Sequence, residues 1–416
     1  EAAQYAKDGA KSAGNDVFKT GVGTVEERFT KAKTDMAAKA GKKSGAACED
    51  KDTWDDECMT AVDVRKAVDE GAGDCMVDAI SACVTADVGP CKPSTASVKT
   101  AVKECTGYAD VSDEKLGIMH KKATGDKIKE ARKAAKEESS LTGAALATFV
   151  KSEAKKACTE AKGAICDDEE MFKEGKKGAA KEMAKVAAAC LDAGETEVLC
   201  DTRERAAYED ATGKTYSKKD AKILQKDGAR TELAELMSAC YELATGDPAA
   251  QRKCTDPAEK KEIKAGFAAA LGKLVEDVTD TDLNKAIYDG ATGDTGLAMD
   301  SCREGVTTSG AQKKLDVKAC FTSAAVLDTA RARLGKPEAA DITNERLKYD
   351  FLQKAAKKTQ KDSFEACIEA AATDAAGKEC RGEGTSAGAV AKRTKLKEAM
   401  GKPDMTDERA TTVMEA

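Results

Sequence analysis

Sixteen cysteines are spread through this chain, and their spacing constrains its fold more than any other feature. They are Cys48, Cys58, Cys75, Cys83, Cys91, Cys105, Cys158, Cys166, Cys190, Cys200, Cys240, Cys254, Cys302, Cys320, Cys367 and Cys380. No two are closer than eight residues, so the tight C-x-x-C pairs of zinc ribbons, redox sites and haem attachment are missing. A single histidine, His120, leaves no partner set for Cys/His zinc sites. The cysteines instead flank turn signals. Cys240 and Cys254 bracket ATGDP, Cys190 and Cys200 bracket DAGE, Cys302 and Cys320 bracket TTSG, and Cys367 and Cys380 bracket TDAAG. That arrangement predicts disulfide staples across helix–turn–helix bends. Closing a loop of about 10–18 residues stabilises the folded chain by roughly 3 kcal/mol in the chain-entropy picture.

Geometry narrows the pairing further. Cys75 and Cys83 stand on MVDAISA with no helix breaker between them, which places them about 12 Å apart at 1.5 Å rise per residue. A disulfide needs Cα atoms within about 7 Å. A nested alternative is Cys83–Cys91 across VTADVGP with Cys75–Cys105 outside it, and the sequence leaves the pairing of these four open. Cys48–Cys58 is a further candidate. Cys158 and Cys166 stay open, because Gly163 decides whether the helix between them ends.

Charged residues make up 34% of the 416 positions and aromatic residues 4%, with alanine abundant. Alanine favours helix but buries little surface, so the core is expected to be thin. The net charge of −7 is mixed in sign, with no basic block, which excludes nucleic acid as the expected partner. No apolar run approaches the roughly 20 residues of a membrane span; AALATFV (Ala144–Val150) is the longest and is flanked by charges. A start at Glu1 with no leader pattern is expected of a chain whose signal peptide has been removed, or of an excerpt.

The second half repeats. After Cys200, Cys254, Cys320 and Cys380 a helical stretch runs to a Gly-Lys pair, at Gly213–Lys214, Gly272–Lys273, Gly335–Lys336 and Gly401–Lys402. Helical periodicity places Leu233, Leu236, Met237, Cys240 and Ala244 on one face, then Phe267, Leu271, Leu274, Val275 and Val278, then Leu347, Phe351 and Ala355. The tetrad ATG[DK] at Ala123, Ala211, Ala244 and Ala291 is expected to stop a helix each time. These features predict an all-α fold: tandem disulfide-stapled helical hairpins in an elongated, irregular repeat array. The expected segments are a helical arm (1–47), a six-cysteine block (48–125), a long helical connector with a short repeat (126–189) and the Cys-turn-Cys-helix-GK-helix repeats (190–416).

Motifs that suggest chemistry fail on inspection. ATGKTYS carries the GKT of a phosphate-binding loop, but Tyr208 stands where its first glycine belongs and no strand precedes it. Asp280, Asp282 and Asn284 open like a calcium loop, yet Lys285 and Ala291 occupy the glycine and glutamate positions, so helix capping by TDTD is expected. DDEE (Asp167–Glu170) reads as helix-start electrostatics. His120 reads as a surface or loop histidine. The expectation is therefore no enzyme, no cofactor and no metal. The chain would be a secreted or organelle-lumen structural protein, a building block or spacer in an assembly such as a filament, with copies of itself or other assembly proteins as partners. The alternative is an all-α module holding a lipid, pigment or other small apolar ligand.

Overall fold

A computed structural model describes residues 61–415 apart from 87–90, 107–111, 193, 195, 245–246, 256–259, 338–342, 344–346, 372, 384, 401 and 403. The 1–47 arm, Cys48 and Cys58 lie outside the described residues, as does the side chain of Cys105. In the described residues every regular element is helical. In chain order they are α1 (Ala61–Thr85), α2 (Ala96–Thr106), α3 (Asp113–Glu138), α4 (Gly143–Lys162), α5 (Asp168–Asp192), α6 (Glu197–Thr212) and α7 (Lys218–Leu243). Then come α8 (Pro248–Lys253), α9 (Lys260–Ala270), α10 (Asp280–Glu304), α11 (Gly310–Cys320) and α12 (Ala324–Leu334). A π-type segment, Leu347–Leu352, leads into α13 (Gln353–Ala370), followed by α14 (Asp374–Cys380), α15 (Ala387–Ala399) and α16 (Asp407–Glu415).

Local chemistry sets the ends. Ser112, Ser217, Ser323 and Asp247 accept backbone N–H groups at helix starts, and Thr279 with Asp282 forms a reciprocal capping box on α10. The TDTD cluster is thus a cap. Gly163, Gly213 and Gly335 close α4, α6 and α12 in the left-handed conformation. Gly163 settles the open case: α4 ends there, and the chain turns back so that Cys158 meets Cys166.

Five staples stand at bends: Cys83–Cys91, Cys158–Cys166, Cys240–Cys254, Cys302–Cys320 and Cys367–Cys380, with Cα separations of 5.6 to 6.0 Å. Four of the five leading cysteines occupy the last turn of a long helix, and Cys158 the last turn and a half of α4. Cys75 is also disulfide-bonded, within α1 and apart from Cys83. Apolar clusters gather at these bends. Met76, Ile80, Cys83, Cys91, Val98 and Leu116 form one, and Ile128, Ala154, Cys158, Cys166 and Met171 form another.

The long helices do more than stack on their neighbours in sequence. Helices α1, α3, α5, α7 and α10 each run 25 or 26 residues, close to 37 Å at about 1.5 Å per residue. Around a ring, α3 packs on α5, α5 on α7, α7 on α10, and α10 back on α3. Helix α1 lies against α3 and α7, and α13 against α5 and α10. The expected linear array is therefore folded into a bundle in which segments more than 150 residues apart touch. The expected connector is not one rod either: α3 and α4 are separate helices packed on each other, and the boundary at 125/126 falls inside α3.

Two of the four ATG[DK] tetrads do not stop a helix. Ala123–Asp126 and Ala291–Asp294 lie in mid-helix, in α3 and α10. Gly125 of the first, with glycines on neighbouring helices, serves close approach, whereas Gly293 of the second meets only Lys358 Cε at ordinary contact distance. A Cβ on Gly125 would lie 2.6 Å from the Glu174 carbonyl oxygen, one on Gly178 2.2 Å from the Gly125 oxygen, and one on Gly228 1.9 Å from the Ala180 oxygen. The face running from Phe267 to Val278 is also interrupted, since α9 ends at Ala270 and Gly272 takes a positive φ.

Gly228→Ala is expected to destabilise the protein by about 1–3 kcal/mol through overpacking at α5. Gly293→Ala, whose Cβ would meet only Lys358 Cε at 3.7 Å, should instead gain up to about 1 kcal/mol of helix propensity. Urea unfolding of the two variants checks the opposite signs.

Candidate functional site

Between the long helices the interior is filled with charge. The Asp294 carboxylate on α10 is buried and accepts from Arg333 Nε on α12 at 2.7 Å and from Lys122 Nζ on α3 at 3.2 Å. Lys122 also reaches Glu235 on α7 at 3.1 Å. Lys181 on α5 joins Glu70 on α1 at 3.1 Å and Asp126 on α3 at 3.2 Å. Lys66 on α1 contacts Glu232, Glu70 and Glu235. Each of these charges is answered from another element, so the pairs form only when the whole bundle is in register.

The electrostatics follow. Burial pushes the Asp294 carboxyl up, but Lys122 and Arg333 outweigh it and hold it below the usual carboxylate range. Burial likewise pulls the Lys66 ammonium down, and Glu232, Glu70 and Glu235 together hold it above its ordinary value. Arg132 has only Glu369 to pull against its burial. It is buried against α6, donates to the Ala211 carbonyl at 2.7 Å, and burial lowers it to about 10.

At the centre a cleft of about 110 Å³ opens between α3, α5, α7, α10 and α13. Seven cationic and six acidic side chains line it. Lys173, Lys177 and Lys181, four residues apart on α5, present their chains on one helix face. Arg230 on α7 joins Asp289 on α10 at 3.0 Å across the cleft. Lys176 donates to Glu365 on α13 at 2.6 Å. The lining holds no cysteine, serine or histidine, and the Thr359 hydroxyl donates to the Ala355 carbonyl at 3.1 Å. No nucleophile–base pair is assembled there. The charged ends are paired with carboxylates and with one another, and the surface turned to the cleft is largely apolar.

His120 is not at the surface. It lies mid-helix in α3, 7% exposed, with Nε2 donating to the Ala161 carbonyl of α4 at 2.7 Å. Burial chiefly holds its pKa below the ordinary value, although the Ala161 bond, Glu174 and Glu304 pull the other way. Its role is to tie α4 to α3.

Cys190 and Cys200 stand half-buried at the end of α5 and the start of α6, where a staple is expected, but they are not bridged in this structure. Gly213 of the GKT sequence caps α6, with its N–H on the Glu209 carbonyl, and Lys214 pairs with Glu369 at 2.8 Å. The loop holds no phosphate-binding geometry. Asp167 and Glu170 exchange backbone bonds at the start of α5, as helix-start carboxylates do. Among the described residues no group of three or more His, Cys, Asp or Glu side chains is placed to hold a metal. The sequence reading missed the charge lattice. Its signal was present as a glycine twelve residues before the leading cysteine, at Gly178–Cys190, Gly228–Cys240 and Gly290–Cys302, with charged residues between.

Asp294→Ala is expected to cost about 3–5 kcal/mol, since it leaves Lys122 and Arg333 buried without their shared carboxylate; chemical denaturation measures it. His120 produces a separate pH effect. Below about pH 6.5 the unfolded chain binds a proton that folded His120 resists, so stability falls as pH drops towards the lower folded value. His120→Gln should flatten the melting-temperature profile between pH 7 and 5. No known family, curated protein or solved structure matches this chain in the comparisons made.

Proposed function

We propose that this protein is a non-catalytic structural module of an oxidising compartment, a secreted or lumenal building block that assembles with copies of itself or with other scaffold proteins. One observation carries this reading: five staples, each tying a helix to the segment just beyond its bend. Bridges of this kind persist outside the reducing cytosol and stiffen small-residue cores. Two further features support it. Exposed apolar side chains occur near bends, among them Ile165, Val198, Leu199, Leu274 and Leu315, and such side chains suit contact with another surface. Among the described residues, no helix is long and apolar enough to cross a membrane.

The apolar-ligand alternative has less support. The surface facing the cleft between the long helices is largely apolar, but at about 110 Å³ the cleft is small for a lipid or pigment.

Sedimentation velocity across a concentration series, with electron microscopy of the densest samples, tests the assembly. Concentration-dependent growth into regular particles or filaments is the expected outcome. A monomer at every concentration, alone and with co-purifying extracellular proteins, rejects it. The compartment is tested separately. Peptide mapping without reductant on protein from its native source should recover the five linked pairs, and fully reactive thiols there reject the oxidising location. Reduction should lower the melting temperature steeply, because each closed loop contributes roughly 3 kcal/mol.

A further inference from the structure

The lysines along the cleft between α3, α5, α7, α10 and α13 are all paired, but not equally. Lys181 meets carboxylates from two other helices, Glu70 at 3.1 Å and Asp126 at 3.2 Å. Lys176 donates to Glu365 of α13 and stands near Asp362 and Asp227 as well. Burial opposes the charge on both, yet their carboxylates hold them above the ordinary lysine value. Lys177 has one acid, Glu174, a turn back on its own helix. Lys173 and Lys121 stand near it with the same charge. Burial first, and then these two lysines, outweigh Glu174 and bring the Lys177 amine down to about 8.

The crossing of α3 and α5 fixes where that amine stands. Gly125 gives the Lys177 stem its room: a Cβ there would lie 3.4 Å from Lys177 Cβ and 2.6 Å from the Glu174 carbonyl oxygen. The side chain still keeps 23% of its surface exposed, and it lines a half-open, largely apolar space of about 110 Å³. That is somewhat less than the roughly 150 Å³ that holds benzene, so a solute of about five heavy atoms fits. A lysine desolvated beside other cations is the arrangement that activates an amine as a nucleophile. At pH 7 an amine titrating at about 8 is about one-tenth uncharged, against under about one in a thousand for an ordinary lysine.

We infer that Lys177 is a covalent modification site, whose amine condenses with a small apolar aldehyde admitted to this cleft. The nitrogen lone pair adds to the carbonyl carbon, the C=O π pair moves to oxygen, and one proton passes from nitrogen to that oxygen. The hydroxyl then departs with the second nitrogen proton as water and leaves a C=N bond. No oxidant or reductant is consumed. An imine is far less basic than an amine, so condensation removes one positive charge from beside Lys173 and Lys121. Glu174 is a counter-ion here rather than a base, and it keeps Lys173 and Lys121 as neighbours once Lys177 is neutral. The aldehyde's carbon chain lies on the apolar part of the lining, which includes Ala180 and Leu297. The site does not depend on the structural role proposed above and stands or falls separately.

Brief treatment of the intact, oxidised protein with butanal and cyanoborohydride, which traps imines as secondary amines, is the test, with the modified lysines mapped by mass spectrometry. At pH 7 Lys177 should react at least about tenfold faster than Lys133, which is 61% exposed on α3. Raising the pH to 9 should narrow that ratio, because Lys133 gains uncharged amine while Lys177 has little left to gain. Glu174→Gln removes the acid that holds the amine charged and should quicken labelling of Lys177 at pH 7 at least about twofold, with circular dichroism reporting its fold. Glyoxylate, a small aldehyde that carries a carboxylate, should label Lys177 less selectively than butanal does. Lys177 modified no faster than Lys133 at pH 7 overturns the site. So does a folded Glu174→Gln protein whose labelling is unchanged or slower, or glyoxylate that matches butanal in selectivity.

Discussion

Pairing of buried charges between helices remote in sequence is the constraint on which this bundle depends. Asp294, Lys122, Glu235 and Arg333 come from four different helices and meet within about 3 Å. Burying such groups is expensive unless every partner arrives, because each lone charge would lose its hydration without compensation. Sliding one helix by a turn would therefore break several pairs together. The lattice specifies the register more than it adds stability, since hydrophobic residues of similar volume often do as well or better energetically.

Small residues make that lattice reachable. Where Gly125 meets Gly178 and Gly228 meets Ala180, backbones come close enough that a single methyl group would not fit. Lysine stems and short acids then cross the remaining gap. The apolar side chains are displaced outward, into clusters such as Ala184, Leu233, Met237, Phe267 and Ile287 between the long helices and their attached hairpins. Each staple ties such a hairpin to its long helix. The division of labour is clear: sulfur and apolar contacts hold each bend, and charge aligns the long helices with one another.

Much of the fold was legible in the sequence because its causes are local. Helix type follows from alanine, lysine and glutamate content, and bends follow from glycine caps such as Gly163 and Gly213. Pairing of Cys240 with Cys254 follows from a turn between them. The candidate site was not legible. Lys122 and Asp294 are 172 residues apart, and neither carries a local mark that it is buried; on a helical wheel both look like ordinary solvated residues. His120 misled for the same reason, its burial being set by Ala161 on another helix.

By itself, then, the sequence determined the all-α class and most of the stapled bends, both of which rest on short-range stereochemistry. The tertiary structure alone decided that the hairpins fold back into a ring, that Gly125 and Gly293 sit inside helices rather than at their ends, and that α3, α5, α7, α10 and α13 border a cleft lined by charged residues. The physical reason is range. Caps, turns and loop closure act over a few residues, whereas a buried ion pair exists only once two distant helices have excluded water from between them.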